Sequence, residues 1–280
     1  MLSRITSTLV LWTVILGSLW YFGAHAALAL VTVLSALTLH EFYSMTQKMG
    51  LRPFRWMGLG FSVLMTAAPF YLAFYNDQPE IAQNLATGLL VLALLISCIR
   101  VLGERDVSNR IETITATVIG LLYIPFLLQF LVRILMRDPD SGDNLTLCLW
   151  VVAVSKFCDV GALLTGMAVG RHKMAPNISP KKTWEGAVGG VLISCGVGAT
   201  FAFFAADRLP ESMTVTVAAL IALPLALTTI VSDLIESAVK RRADTKDTGA
   251  LIPGIGGAFD LTDSLILTAP VAYFIFLFVA

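Results

Sequence analysis

Residues Ser232 to Ser264 read SDLIESAVKRRADTKDTGALIPGIGGAFDLTDS, and the organisation of the chain can be read outward from this run. It gathers Asp233, Glu236, Lys240, Arg241, Lys246, Asp247, Asp260 and Asp263 in a chain that is 57% apolar and only 14% charged. Charge of this density beside bilayer-length apolar segments marks a functional site in a membrane protein. Asp233, Glu236, Ser237, Lys240 and Arg241 recur at i, i+3, i+4, i+7 and i+8, so they share one face of a helix. The acids precede the bases, the order a helix macrodipole favours. A glycine-rich connection follows (Gly249, Pro253, Gly254, Gly256, Gly257), and Asp260 and Asp263 then stand one turn apart at the head of the last apolar segment. Two carboxylate clusters joined by a basic, glycine-rich connection suit a metal-bound polyphosphate.

The flanking sequence sets the class. Mean hydropathy is +0.81 over 280 residues, and no long polar block could form a separate soluble unit. Nine apolar segments, near 7–23, 24–43, 56–75, 81–99, 111–135, 145–169, 184–206, 213–232 and 261–279, approach the length a helix needs to cross the hydrocarbon core. The expected fold is an all-α integral membrane protein of about nine transmembrane helices with a polar active site on the cytoplasmic side. Residues 1–135 read as N-terminal membrane helices and 136–280 as a C-terminal catalytic membrane region. The first segment lacks a clear cleavage site followed by a soluble domain, so a retained span is expected there. Gly23 to His25 separate it from the second, as a tight hairpin or one broken segment.

Charge sets the orientation. With the N-terminus inside, 15 Lys and Arg fall in cytoplasmic loops and 3 (Arg133, Arg137, Arg208) on the opposite side, with Lys156 inside a span. The motif run then faces the cytoplasm of a multi-pass cell (inner) membrane protein. A formal net charge of zero excludes a bulk basic surface for nucleic acid. Cys98, Cys148, Cys158 and Cys195 lie in apolar segments without CxxC spacing and read as small buried hydrophobes. His40 and Glu41 read as an interfacial cap on the second span, with Tyr43 as its aromatic anchor. Pro69, Pro125 and Pro224 read as kinks.

Two further stretches stand out. In SKFCDVGALLTG (155–166), Lys156 and Asp159 lie one turn apart within a span. They read either as a neutralising pair or as groups facing a polar cavity that takes a lipid phosphate or metal. In GRHKMAPNISPKKTWEGAVGG (170–190), Pro180 breaks the chain, Thr183 can cap the next helix and Glu185 sits in its first turn. That helix start with Lys181 and Lys182 reads either as an anion site or as a positive-inside loop with an ordinary cap, while Gly186, Gly189 and Gly190 allow close helix packing. His172 is the histidine nearest these motifs.

The first run resembles the signature of the CDP-diacylglycerol synthases (phosphatidate cytidylyltransferases). Ser237, Lys240 and Arg241 match its S-x-x-K-R, and Lys246, Asp247 and Gly249 its K-D-x-G. Pro253, Gly254, Gly256 and Gly257 match its P-G-H-G-G, and Asp260 and Asp263 its D-R-x-D. Ile255 replaces the usual His and Leu261 the usual Arg. Ser179, Pro180, Lys182, Thr183, Glu185 and Gly186 match the same family's S-P-x-K-T-x-E-G, and Asp159 begins its D-x-G-A.

The resemblance implies transfer of a cytidylyl group from CTP to phosphatidate, giving CDP-diacylglycerol and pyrophosphate in phospholipid biosynthesis. It implies Mg²⁺, with a second cation open, held by Asp233, Asp260 and Asp263, with Asp247 after them. Lys240, Arg241, Lys246 and the amides of Gly254 to Gly257 would hold the triphosphate. Lys156 and Lys182 would take the lipid phosphate, with Asp159, Ser179, Thr183, Glu185 and Ser237 lining the substrates. The implied partners are CTP, phosphatidate and membrane lipids, in a homodimer. Other readings are cytidylyl transfer to an ether-lipid or polyprenol phosphate, a non-catalytic paralogue, or a transporter. Transport predicts polar residues spread through several spans at mid-depth, whereas here they cluster at one edge.

Overall fold

The structure is a computed structural model and describes residues 13–76, 79–103, 110–137, 143–245 and 256–279. Helices run where the apolar segments predict: α1 (Thr13–Phe22), α2 (Ala24–Lys48), α3 (Arg55–Asn76), α4 (Pro79–Leu102), α5 (Arg110–Tyr123), α6 (Pro125–Leu135), α7 (Asn144–Val169), α8 (Trp184–Phe204), α9 (Val215–Arg242) and α10 (Ala258–Val279). Among the described residues, eight helical stretches are long and apolar enough to cross a membrane, α5 and α6 together forming one of them. The first expected span is described only from Thr13. There it is a short apolar helix, ended by Gly23 at φ 55°, a conformation glycine adopts without strain.

Two features depart from an all-helical reading of the loops and kinks. Residues Lys173–Ala175 (β1) and Ser179–Thr183 (β2) form an antiparallel ribbon between α7 and α8, with Lys173 opposite Thr183 and Ala175 opposite Ser179. Pro69 and Pro224 lie inside α3 and α9, whereas Pro125 opens α6 after a break at Ile124. Proline suits a first helical turn, where no intrahelical donor is required of it.

The chain forms two compact units. One comprises Met1–Val132 with Arg242–Thr262, the other Arg133–Arg241 with Asp263–Ala280. In the first, α2 packs on α3 and α5, and α4 on α3 and α5. Its centre is Tyr43, which is fully buried and donates to the Thr117 carbonyl at 2.8 Å. A Cβ on Gly58 or Gly120 would come within 2.5 or 2.4 Å of its ring or hydroxyl, so those glycines make its socket. The expected interfacial anchor is therefore a core residue. Glu41, 4% exposed, accepts the N–H groups of Ala258 and Phe259 at 3.0 and 2.9 Å, so a buried carboxylate caps the start of α10. His40 pairs instead with Arg55.

In the second unit α7 and α8 pack closely along small residues, as membrane helices do where no hydrophobic driving force joins them. A Cβ on Gly189 would fall 2.2 Å from Thr165 Oγ1, and one on Gly190 2.7 Å from the Cys158 carbonyl. Trp150 Nε1 donates to the Gly198 carbonyl at 3.0 Å and Ser194 Oγ to that of Val154 at 2.9 Å. Thr229 and Thr268 share a hydroxyl hydrogen bond of 3.2 Å between α9 and α10. Cys148 and Cys158 are buried as expected, Cys195 is half-buried, and Cys98 departs from that expectation by facing outward from α4. Large apolar side chains such as Leu95, Ile99, Leu192 and Phe278 also face outward, the surface lipid solvates.

Candidate active site

The site is assembled in the second unit from α7, β2, α9 and α10. Helix α9 is continuous for 28 residues, so the apolar segment and the polar face beyond it are one rod. That rod brings Asp233, Glu236 and Lys240 onto the same side, and α10 adds Asp263. Carboxylate oxygens of Asp233, Glu236 and Asp263 lie within 4.8 Å of one another. Ser232 on α9 donates its hydroxyl to the Asp263 backbone carbonyl, tying the two helices together at this level. The Ser264 N–H donates to Asp263 Oδ1 at 2.6 Å and fixes that carboxylate further.

Three lysines stand on the three carboxylates. Lys182 Nζ lies 2.5 Å from Asp233 Oδ2, Lys240 Nζ 2.5 Å from Glu236 Oε1, and Lys156 Nζ 3.5 Å from Asp263 Oδ1. Lys156 also reaches Asp159 at 3.9 Å. Four carboxylates thus meet three ammonium groups in one cluster, where unpaired like charges would repel strongly. The intramembrane pair Lys156–Asp159 is joined to the motif on α10 rather than closed on itself.

The ribbon is built to deliver Lys182. Thr183 is the N-cap of α8, its Oγ1 accepting the Gly186 N–H at 3.1 Å. Glu185 accepts the backbone N–H groups of Arg171 and His172, each at 3.1 Å, and its Oε1 lies 2.5 Å from His172 Nδ1. That carboxylate gathers the start of the loop to α8. Ser179 pairs with Ala175 in the ribbon. Arg241 Nε donates to the Ile178 carbonyl at 3.2 Å, so the ribbon is also tied to the end of α9. Ser237 is half-buried on the polar side of that helix.

Glu236 is the residue that inspection of the sequence placed on the right face but did not nominate as a ligand. The spacing carries the signal, since Glu236 follows Asp233 by three residues and precedes Lys240 by four, and the structure buries it to 3% exposure. Asp260 lies in the first unit, where its Oδ2 accepts the Gly257 N–H at 2.9 Å. Gly256 there has φ 108°, and a Cβ on it would sit 2.9 Å from Asp260 Oδ2, so glycine is required for this turn. Leu261 on α10 is half-buried. Lys246, Asp247, Gly249, Pro253, Gly254 and Ile255 lie outside the described residues.

The donor set is all oxygen, which suits Mg²⁺, a hard ion that takes a few carboxylates together with phosphate oxygens and water. The neighbouring ammonium groups suit phosphate.

Comparison with known proteins bears on the chain as a whole. The sequence matches the cytidylyltransferase family over residues 2–279. It is 33% identical over 175 residues to the phosphatidate cytidylyltransferase of Mycobacterium bovis, covering 62% of this chain and 54% of that one. The protein of that name from Mycobacterium leprae is 37% identical over 174 residues, 61% of this chain and 52% of that one. The chain spans about half the length of these mycobacterial relatives. The Synechocystis phosphatidate cytidylyltransferase is 31% identical over 285 residues, 93% of this chain and 89% of that one. The family match runs through nearly the whole sequence, and the chain belongs to the cytidylyltransferase family.

Proposed function

We propose that the chain is a phosphatidate cytidylyltransferase of phospholipid biosynthesis, using CTP and phosphatidate in the membrane. The observation that carries the reading is the trio Asp233, Glu236 and Asp263 with one lysine on each, on helices bearing the family's motif residues. A phosphatidate oxygen attacks the α-phosphorus of CTP, the bond to the β-phosphate oxygen breaks, and pyrophosphate leaves in line. No covalent protein intermediate is needed, so the protein's part is positioning and charge neutralisation.

Asp233, Glu236 and Asp263 would hold Mg²⁺, with Asp260 and Asp247 assigned as further carboxylates from the motif. When bound, the ion neutralises charge on the triphosphate and the leaving pyrophosphate. Lys240, Arg241 and Lys246 bind the triphosphate together with Ser237 and the amides around Gly254, Gly256 and Gly257. Lys156 and Lys182 hold the lipid phosphate, with Asp159 setting the position of Lys156. Ser179, Thr183 and Glu185 keep the ribbon that carries Lys182 in place. The positive-inside pattern supports a cytoplasmic position for these loops, where CTP is available. The homodimer implied by the family resemblance belongs to the same reading, and light scattering of the detergent-solubilised protein tests it.

The reaction is tested by incubating the purified full chain with CTP, Mg²⁺ and phosphatidate in mixed micelles and separating the lipid products. CDP-diacylglycerol with stoichiometric pyrophosphate is the expected result. Product only with an ether-lipid or polyprenol phosphate would reassign the acceptor, and no product from folded, CTP-binding protein would overturn the reading.

A further inference from the structure

Lys182 holds a position that a surface ion pair does not explain. Its Nζ is sealed from solvent, paired with Asp233 and without a hydrogen bond to any other acceptor among the described residues. An ammonium group has three N–H donors, and donors left unused in a buried place are costly. The lysine is not there by chance of rotamer. Ile178, in the turn just before β2, is tied to Arg241, and Lys182 within β2 to Asp233. Four residues of extended chain advance about 13 Å and eight of helix about 12 Å, so the spacing of the two ties matches on both sides.

An ammonium and a divalent cation cannot hold the same carboxylate oxygens, and the two repel each other. We propose that Lys182 is the counter-ion of Asp233 only in the cation-free protein. It yields the carboxylate when a divalent cation takes the trio, and its three freed N–H donors are then shared between the CTP phosphate that arrives with the cation and the lipid phosphate assigned to it above. Lys182 is thus a positioning residue that keeps the carboxylates together and neutral between turnovers, and then orients a phosphate. The inference rests on the functional reading above, in which the arriving groups are phosphates and a divalent ion.

The consequence is a reversal of sign. Without nucleotide, Lys182 opposes cation binding; with CTP present, it supports it. The test titrates Mn²⁺ into the detergent-purified full chain and follows the free-ion electron paramagnetic resonance signal, with and without CTP. The wild type is compared with Lys182→Met, Lys182→Gln and Lys182→Arg. A unit charge about 5 Å from a divalent ion changes its affinity on the order of tenfold even in water-like surroundings.

Both neutral variants should therefore bind Mn²⁺ about tenfold tighter than wild type without CTP, and more weakly than wild type with it. Lys182→Arg should follow wild type in the absence of CTP. Neutral variants that bind Mn²⁺ no tighter than wild type, or an arginine variant that tightens as they do, would overturn the exchange. So would a wild type that binds no Mn²⁺. The functional reading stands or falls separately, on lipid product formed by the wild type.

Discussion

Replacing Thr183 by valine separates a structural role from a substrate-binding one. Thr183 is 5% exposed, and its Oγ1 accepts the buried Gly186 N–H at 3.1 Å. Its side chain lies in a nest of glycines. A Cβ on Gly170 would be 2.7 Å from Thr183 Oγ1 and 3.0 Å from its Cγ2, one on Gly186 3.0 Å and one on Gly166 3.2 Å from Oγ1. Valine keeps the branched shape, so this packing survives, but it cannot accept the Gly186 N–H. Losing the cap and leaving a buried donor unpaired should cost about 1–2 kcal/mol. Thr183→Ser does the opposite, keeping the cap and losing a methyl, at about 1 kcal/mol. The assay is reversible unfolding in detergent, alongside KM for CTP and for phosphatidate in micelles. Thr183→Val should lower stability while the folded fraction keeps both KM values within about twofold. A valine variant as stable as wild type that has lost affinity for either substrate would refute the cap account and make Thr183 a substrate contact.

Other sites give equally direct checks. Gly189→Ala puts a Cβ 2.4 Å from the Thr165 Cβ, a clash no rotamer relieves, so α7 and α8 must separate at a cost of about 1–3 kcal/mol. Gly196→Ala meets nothing within 4 Å and should be neutral or stabilising by a few tenths to about 1 kcal/mol in the same unfolding assay. Equal stability of the two variants would count against close α7–α8 packing. Glu41→Gln removes the charge that faces two N–H groups at the start of α10 and should destabilise by about 1–2 kcal/mol. An unchanged unfolding curve would show that the carboxylate is dispensable as a cap.

Much of this architecture is legible from hydropathy, because a helix in lipid must satisfy its own backbone and so announces itself by length and composition. The helix face with Asp233, Glu236 and Lys240 is legible for a similar reason, since helical period is local. What is not legible depends on distant partners. Tyr43 looks like an interfacial aromatic until Gly58 and Gly120 are seen to make room for it. Glu41 looks like a helix-end charge because the N–H groups it accepts from lie 217 and 218 residues away. The ribbon at 173–183 is hidden by its proline and its lysines, which read as a basic loop. Lys156 could close on Asp159 by spacing alone, and only the packing of α10 shows Asp263 as a second partner. The motif names neighbours of Glu236, and three-dimensional proximity adds Glu236 itself.

The central claim is that the carboxylates of Asp233, Glu236 and Asp263 hold the divalent cation used in cytidylyl transfer. The most direct measurement is CDP-diacylglycerol formation across a Mg²⁺ titration by wild type and Asp263→Asn in the same micelles, with unfolding curves for both. The account predicts Mg²⁺-dependent product from wild type and a loss of about 100-fold or more in the variant at preserved stability. A stable Asp263→Asn variant turning over within about threefold of wild type at every Mg²⁺ concentration would contradict it.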